Sequence, residues 1–289
     1  MELKKLGRSD VRLPAIGFGT WNFTGGVEPL RTAINHGASL IDTAEIYGTE
    51  KVVGEAIRCS RHLVFLATKV APRNFRRRDV WAAAERSLRQ LGTDYIDLYQ
   101  LHWPNDTVPI GETMAAMEEL VDSGKVRFIG VSNFSVRELE KARHALTRHK
   151  IVSNQVRYNL IDRTIELGLL QYCQKHEITV IAYSPLGSGL RQIKDCDPEN
   201  VLDRIAASSG QSEAQVALNW LIRQDHVIAI PKADRVAHAI ENCTASGWRL
   251  SQEDYGLLSS KIRCRRRGTL PSALRRRVRQ VYQLFGRRL

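Results

Sequence analysis

Short apolar runs alternate along this chain with stretches whose apolar residues recur every three to four positions. Eight of the runs read as strands: IGFGTW, SLIDTA, LVFLATKV, DYIDLYQLHW, VRFIGVSN, VSNQVRYN, TVIAYSPL and HVIAIPKA. Between them, Asp79 to Gln90 places Val80, Trp81, Ala84 and Leu88 on one helical face, and Ser212 to Arg223 does the same with Val216, Ala217, Trp220 and Leu221. Apolar strands alternating with amphipathic helices predict parallel strands covered by helices. Eight such repeats match an α/β fold of the (β/α)8 TIM barrel type in number and size. A doubly wound sheet is the rival, but GFGTWN and GSGLRQ both lack the third glycine of its phosphate-binding turn. Upstream, LKKLG and VRLPAI flank RSD, which predicts a short N-terminal hairpin at the bottom of the barrel.

Charge changes the picture at one end only. The 289 residues carry 43 basic and 31 acidic side chains, a net +12. Eleven of the basic residues and none of the acidic ones lie from Lys261 to Leu289, so the rest of the chain is close to neutral. Residues 1–260 are therefore expected to form the barrel and 261–289 a basic, helical C-terminal tail, with Leu274, Val278, Val281 and Phe285 on one face. The tail is expected to dock on the barrel with its arginines in water; the sharper readings are contact with an acidic partner, RNA or an anionic membrane surface. Five scattered cysteines without a CxxC pair argue for reduced thiols and against both a disulfide framework and a metal site. The longest apolar runs fall far below the roughly 18 residues of a membrane span, and the N-terminus has no signal-like stretch. A cytoplasmic location is the expectation.

Barrel chemistry gathers where strands end. Asp42 and Tyr47 follow the second strand, Lys69 ends the third and His102 the fourth. Ser132 and Asn133 end the fifth, Gln155 lies in the sixth, and Tyr183 and Ser184 end the seventh. Singly, each has a structural explanation as a cap, a rim residue or a satisfied hydrogen-bonder. Four ionisable groups on three consecutive strand ends point to chemistry.

The segments GFGTW, IDTAEIYG, LATKV, LYQLHWP, KVRFIGVSNF, AYSPLGSG and IPKADRVAHAIEN, in that order from about Leu3 to Leu258, resemble the aldo-keto reductase superfamily. The resemblance implies an NAD(P)H-dependent oxidoreductase that reduces aldehydes or ketones, with Asp42, Tyr47, Lys69 and His102 as its catalytic tetrad. Reducing a carbonyl by hydride creates an alkoxide, which needs a proton and a stabilising dipole, and a Tyr phenol with a free pKa of about 10 needs help to supply that proton near neutrality. Lys69 would lower the Tyr47 pKa, Asp42 would keep Lys69 charged and aimed, and His102 would polarise the carbonyl. It further implies that Tyr183 stacks under the nicotinamide and that Ser132, Asn133 and Gln155 hold its carboxamide. Ser184, Leu186 and Ser188 would cradle the pyrophosphate, with SGLRQIKDCDPEN as a covering loop. Lys232 and the residue at His238 would meet the 2′-phosphate, and Glu241 and Asn242 the adenine. Ala233 and His238 stand where the family often has a small hydroxyl and an arginine, so NADPH is expected with NADH left open. Trp21, Phe23 and Trp103 are expected to line the pocket for a small-molecule carbonyl substrate, and Arg73 with Arg76 to Arg78 raises the idea of an acidic one. The alternative is a nucleotide-sensing regulatory subunit of the potassium-channel type.

Overall fold

The computed structural model describes residues 1–265. Strands β1 (Leu3–Lys5) and β2 (Arg12–Pro14) pair antiparallel as the N-terminal hairpin. Eight parallel strands follow: β3 (Phe18–Gly19), β4 (Leu40–Asp42), β5 (Phe65–Val70), β6 (Ile96–Leu101), β7 (Val126–Ser132), β8 (Ile151–Arg157), β9 (Thr179–Tyr183) and β10 (Val227–Ala229). They hydrogen-bond in sequence order. The ring closes where Ile16 bridges to Ala229 and Gly19 N donates to Pro231 O at 3.1 Å. All eight apolar runs of the sequence thus form barrel strands.

Eleven helices wrap the described barrel. The first six are α1 (Val27–Asn35), α2 (Glu50–Ile57), α3 (Arg77–Leu91), α4 (Ile110–Asp122), α5 (Val136–Ala145) and α6 (Leu169–Lys175). The rest are α7 (Leu190–Lys194), α8 (Val201–Ser209), α9 (Glu213–Ile222), α10 (Val236–Thr244) and α11 (Gln252–Lys261). Sequence sets their ends. Reciprocal capping boxes, Ser135 with Glu138 and Ser212 with Gln215, start α5 and α9, and Gly92 in left-handed backbone ends α3. The buried faces of α3 and α9 include Val80, Ala84, Leu88, Val216, Ala217, Trp220 and Leu221, as their periodicity predicts.

The barrel interior is layered. A lower apolar layer holds Leu40, Phe65, Ala67, Leu98, Val152, Ile181 and Ile228, and Leu6 and Leu13 of the hairpin close it from below. Because side chains alternate along a strand, the next inward positions after Leu40, Ala67 and Leu98 are Asp42, Lys69 and Gln100. The polar layer sits on an apolar floor.

Two expectations shift. The covering loop after β9 contains a short helix, α7, where Leu190 and Ile193 recur at helical spacing, and α8 begins at Val201. The body also continues past residue 260: α11 runs to Lys261, Arg263 N donates to Cys196 O at 2.9 Å, and Arg265 N donates to Ile161 O at 2.8 Å. The expected tail helix from Ser272 lies outside the described residues, as does nearly all of the basic segment on which the regulatory-subunit alternative rests. Among the described residues no helix is long and apolar enough to cross a membrane.

Candidate active site

Asp42 is 2% exposed and Lys69 fully buried, so both charges have left water and need partners for every polar atom. They find them. Lys69 Nζ donates to Asp42 Oδ1 at 2.5 Å and to Thr43 O at 2.8 Å. Asp42 Oδ2 accepts from Gln155 Nε2 at 2.7 Å and from Gln100 Nε2 at 3.1 Å. Lys69, Gln100 and Gly130 stand opposite one another on β5, β6 and β7. A Cβ on Gly130 would lie 2.9 Å from Gln100 Cγ and 2.6 Å from Ser153 Oγ, so the glycine makes the room that Gln100 occupies. Burial pushes the Lys69 pKa below its ordinary value, and Asp42 opposes that by charge and hydrogen bond.

Tyr47 and His102 sit above this pair. The Thr20, Thr43 and Thr49 hydroxyls link in a chain with 2.9 Å steps, and Thr20 Oγ1 donates to Asp42 O, which fixes the segment leading from β4 to Tyr47. Tyr47 Oη lies 3.2 Å from His102 Nε2, and Lys69 Nζ lies 4.8 Å from the Tyr47 ring centroid. Burial first, then Asp42 and Tyr183, raise the Tyr47 pKa well above its ordinary value. This differs from the expectation that Lys69 lowers it: the site keeps the phenol protonated. Burial, then Lys69, pushes the His102 pKa well down, so the imidazole is neutral. Among the described residues, His102 Nδ1 is buried without a hydrogen-bond partner. A bare acceptor is cheaper to bury than an orphaned N–H, which places the proton on Nε2, facing Tyr47.

The residues expected to hold a nucleotide fall into two groups. Ser132, Asn133, Gln155 and Tyr183 form one connected set. Ser132 Oγ donates to Gln155 O at 2.9 Å, Asn133 Nδ2 to His102 O at 3.1 Å, and Tyr183 Oη to Asn133 Oδ1 at 3.0 Å. Asn133 (φ 64°) and Ser184 (φ 47°) adopt left-handed backbone, an uncommon state for a non-glycine residue that clusters at functional sites. Asn159 Nδ2 holds Ser184 O at 2.9 Å. Gly187 N returns to Ser184 O at 2.9 Å, turning Leu186 and Ser188 over the strand end. The second group lies at the start of α10. Exposed Lys232 pairs with Asp234, Arg235 Nη2 lies 2.6 Å from His238 Nε2, and Glu241 and Asn242 follow on the helix. Lys232 thus carries a neighbouring carboxylate that the motif alone did not bring into the reading.

Of the aromatic residues expected in the pocket, Trp21 is half exposed, with its ring 4.9 Å from that of Tyr47, and Trp103 directly follows His102. Phe23 instead packs edge-on against Phe18 in the core at 5.5 Å and is 6% exposed, so it supports the wall rather than forming it. Two of the basic-loop arginines serve the surface: Arg76 pairs with Glu112 at 3.0 Å and Arg77 with Glu119 at 2.7 Å. Sequence reasoning missed Gln100 and the three threonines. Gln100 was findable, since it precedes His102 by two residues in LYQLHW and strand alternation puts both on the inner face.

The model of the aldo/keto reductase family matches residues 15–263. Methylglyoxal reductase YeaE of Escherichia coli (strain K12) is 41% identical over 259 residues, covering 86% of this chain and 91% of that protein. Among solved structures, the thermostable aldo-keto reductase Tm1743 in complex with the inhibitor epalrestat superposes with a TM-score of 0.84 at 43% identity, covering 90% of this chain and 99% of that one. An aldo/keto reductase from Klebsiella pneumoniae in complex with NADP and acetate gives 0.83 at 39% identity, covering 92% and 98%. With the sequence motifs, the eight-stranded barrel and these matches in agreement, the chain belongs to the aldo/keto reductase family.

Proposed function

We propose that this chain reduces small aldehydes and ketones to alcohols with NADPH, and that 2-oxoaldehydes such as methylglyoxal are among its substrates. The observation that carries the reading is the stack of Asp42, Lys69, Tyr47 and His102 at one end of the barrel, with Tyr47 Oη and His102 Nε2 3.2 Å apart. The named activity of YeaE supports the substrate class, and the Klebsiella complex with NADP supports the cofactor.

The residues fit a nicotinamide dinucleotide. Two non-glycine residues in left-handed backbone, Asn133 and Ser184, follow β7 and β9 on either side of β8, and exposed Lys232 would supply a cation for the 2′-phosphate. Ser132, Asn133, Gln155 and Tyr183 would hold the nicotinamide end, Ser184, Leu186 and Ser188 the pyrophosphate, and Lys232, His238, Glu241 and Asn242 the adenosine end. Bound NADPH supplies the hydride for the carbonyl carbon.

This chain's own groups handle the oxygen. His102 donates its Nε2–H to the carbonyl oxygen and orients it. Tyr47 gives its phenolic proton to the same oxygen as negative charge develops there, and regains a proton from solvent afterwards. A phenol whose pKa is raised is protonated throughout the neutral range, the state an acid needs. The Lys69 ammonium below the ring stabilises the phenolate left behind, and Asp42 keeps that ammonium charged.

The test is loss of NADPH absorbance on mixing the protein with methylglyoxal, phenylglyoxal or 4-nitrobenzaldehyde, repeated with NADH. Steady consumption with stoichiometric alcohol supports the reading. Tight NADPH binding with no consumption for any of the three refutes it.

A further inference from the structure

Arg157 is the last residue of β8, and its side chain belongs to the inner face of the barrel. Gln155 Nε2 reaches Asp42 Oδ2 inside the barrel, and side chains alternate along a strand, so Arg157 points to the same face one pleat nearer the mouth. The register with β9 agrees: Gln155 stands beside Ile181 of the inner apolar layer, and Arg157 stands beside Tyr183. A cation is therefore set on the rim, above one residue read as holding the nicotinamide end and alongside another.

Its donors are largely unused. Among the described residues Arg157 donates no side-chain hydrogen bond. Nε is buried and lies 3.5 Å from Asp162 Oδ2, a loose ion pair without a hydrogen bond. Asp162 Oδ1 is taken by the Thr164 hydroxyl at 2.9 Å. The side chain as a whole is 39% exposed, and Nε is its one nitrogen that is both buried and unbonded, so the two terminal nitrogens reach solvent at the mouth. The chain that follows leads to the pyrophosphate turn. Asn159 holds Ser184 O at 2.9 Å, and Ile161 lies under Gly187, where a Cβ would be 3.6 Å from Ile161 Cδ1. Arg157 thus stands at the seam between the nicotinamide group of residues and the turn from Ser184 to Ser188. The nucleotide reading gives the 2′-phosphate a cation, Lys232, but sets only uncharged Ser184, Leu186 and Ser188 against the doubly charged pyrophosphate.

We propose that Arg157 is a cofactor-binding residue whose guanidinium forks onto the pyrophosphate of the dinucleotide, with Asp162 as its counter-charge in the free protein. The inference rests on the reductase reading and adds a residue to its dinucleotide site. A planar guanidinium with its terminal donors open matches two phosphate oxygens at once, and the bond to an ionised acceptor is stronger than one to a neutral group.

The experiment titrates NADPH and NADH into the wild type, Arg157→Met, Arg157→Lys and Asp162→Asn, read by protein fluorescence, with a thermal melt of each. Arg157→Met is expected to weaken both dinucleotides by a common factor of about tenfold, as for loss of a charge-assisted hydrogen bond. Arg157→Lys should recover part of the loss, and Asp162→Asn, which frees the guanidinium of its counter-charge, should tighten both. Binding of 2′-AMP, which carries no pyrophosphate, should be the same in all four proteins. A loss confined to NADPH would move Arg157 to the 2′-phosphate. Unchanged nucleotide affinity with a raised KM for 4-carboxybenzaldehyde, but not for 4-nitrobenzaldehyde, would move it to a substrate carboxylate. Either result, no effect at all, or an equal loss of 2′-AMP would overturn the assignment and leave the reductase reading intact. If Arg157→Met does not fold, Asp162→Asn decides, and equal or weaker binding there overturns the assignment. A wild type that binds neither dinucleotide would overturn both readings.

Discussion

Gln100 Nε2 donates to Asp42 Oδ2 at 3.1 Å from two strands away, while Lys69 Nζ holds Oδ1 of the same carboxylate at 2.5 Å. The two oxygens have divided tasks. One keeps the lysine charged, and the other is fixed by the amides of Gln100 and Gln155 so that the pair cannot rotate. Catalysis in this account depends on a lysine that burial discourages from being charged, and the network around Asp42 offsets that burial.

Asp42→Asn tests the division. Burial lowers the Lys69 pKa and Asp42 raises it, so removing the carboxylate's charge lowers it further. The alkaline limb of the kcat/KM profile, above which reduction fades, should move to lower pH. Leaving one member of a buried pair unmatched should also cost about 3 kcal/mol of stability. A pH profile with parallel thermal melts checks both, and an unmoved limb would detach Lys69 from the reaction.

Gly130→Ala should act on the same network without touching a charge. The new Cβ would lie 2.6 Å from Ser153 Oγ and 2.9 Å from Gln100 Cγ, which pushes the Gln100 amide off Asp42. A loss of about 1–3 kcal/mol is expected from overpacking, with a fall in kcat rather than a rise in KM. Gly111→Ala is the contrast: that helical glycine has open space around its Cβ position, and alanine there should be neutral or stabilise by up to about 1 kcal/mol. Melting curves and steady-state kinetics on the two variants separate crowding from glycine replacement as such.

Much of this was legible in the sequence, for physical reasons. Period-two and period-3.6 patterns are imposed by burial, so the eight strands and the faces of α3 and α9 could be read directly. That Asp42, Tyr47, Lys69 and His102 come together could be read because four ionisable groups on three consecutive strand ends are harder to explain by packing than any one of them alone. An aromatic near the mouth reads the same in sequence whether it lines the pocket or, as Phe23 does, packs on Phe18. Gln100 was passed over because one polar residue within a strand looks like a weak spot until its neighbour across the barrel, Asp42, is known. The sign of the Tyr47 shift was also beyond the sequence: it depends on how completely the phenol is enclosed, which is a property of the packed barrel.

Glu118 makes a prediction at the opposite, structural end of the barrel. It is 2% exposed on α4, and its carboxylate accepts from the backbone N–H groups of Thr147, Arg148 and His149 just before β8. Burial alone would raise its pKa, but those bonds and the Thr147 hydroxyl outweigh it and hold the pKa at about 2. A carboxylate depressed in the folded state stabilises the fold above its unfolded pKa of about 4.3, and that stability is lost as pH falls toward about 2. The shift corresponds to about 3 kcal/mol. Glu118→Gln should lower the melting temperature at neutral pH and flatten the decline of stability across that acid window. Denaturant titrations at several pH values decide it, and an unchanged slope would show that the depressed pKa does not govern acid unfolding.

The most direct test of the central claim is Tyr47→Phe, assayed for reduction of a good aldehyde and, separately, for NADPH affinity by fluorescence. The account predicts that kcat/KM falls by about a hundredfold to ten-thousandfold, as for loss of a general acid, while nucleotide affinity holds. A variant that retains activity within about tenfold of wild type would contradict Tyr47 as the proton donor and return that role to His102 or solvent.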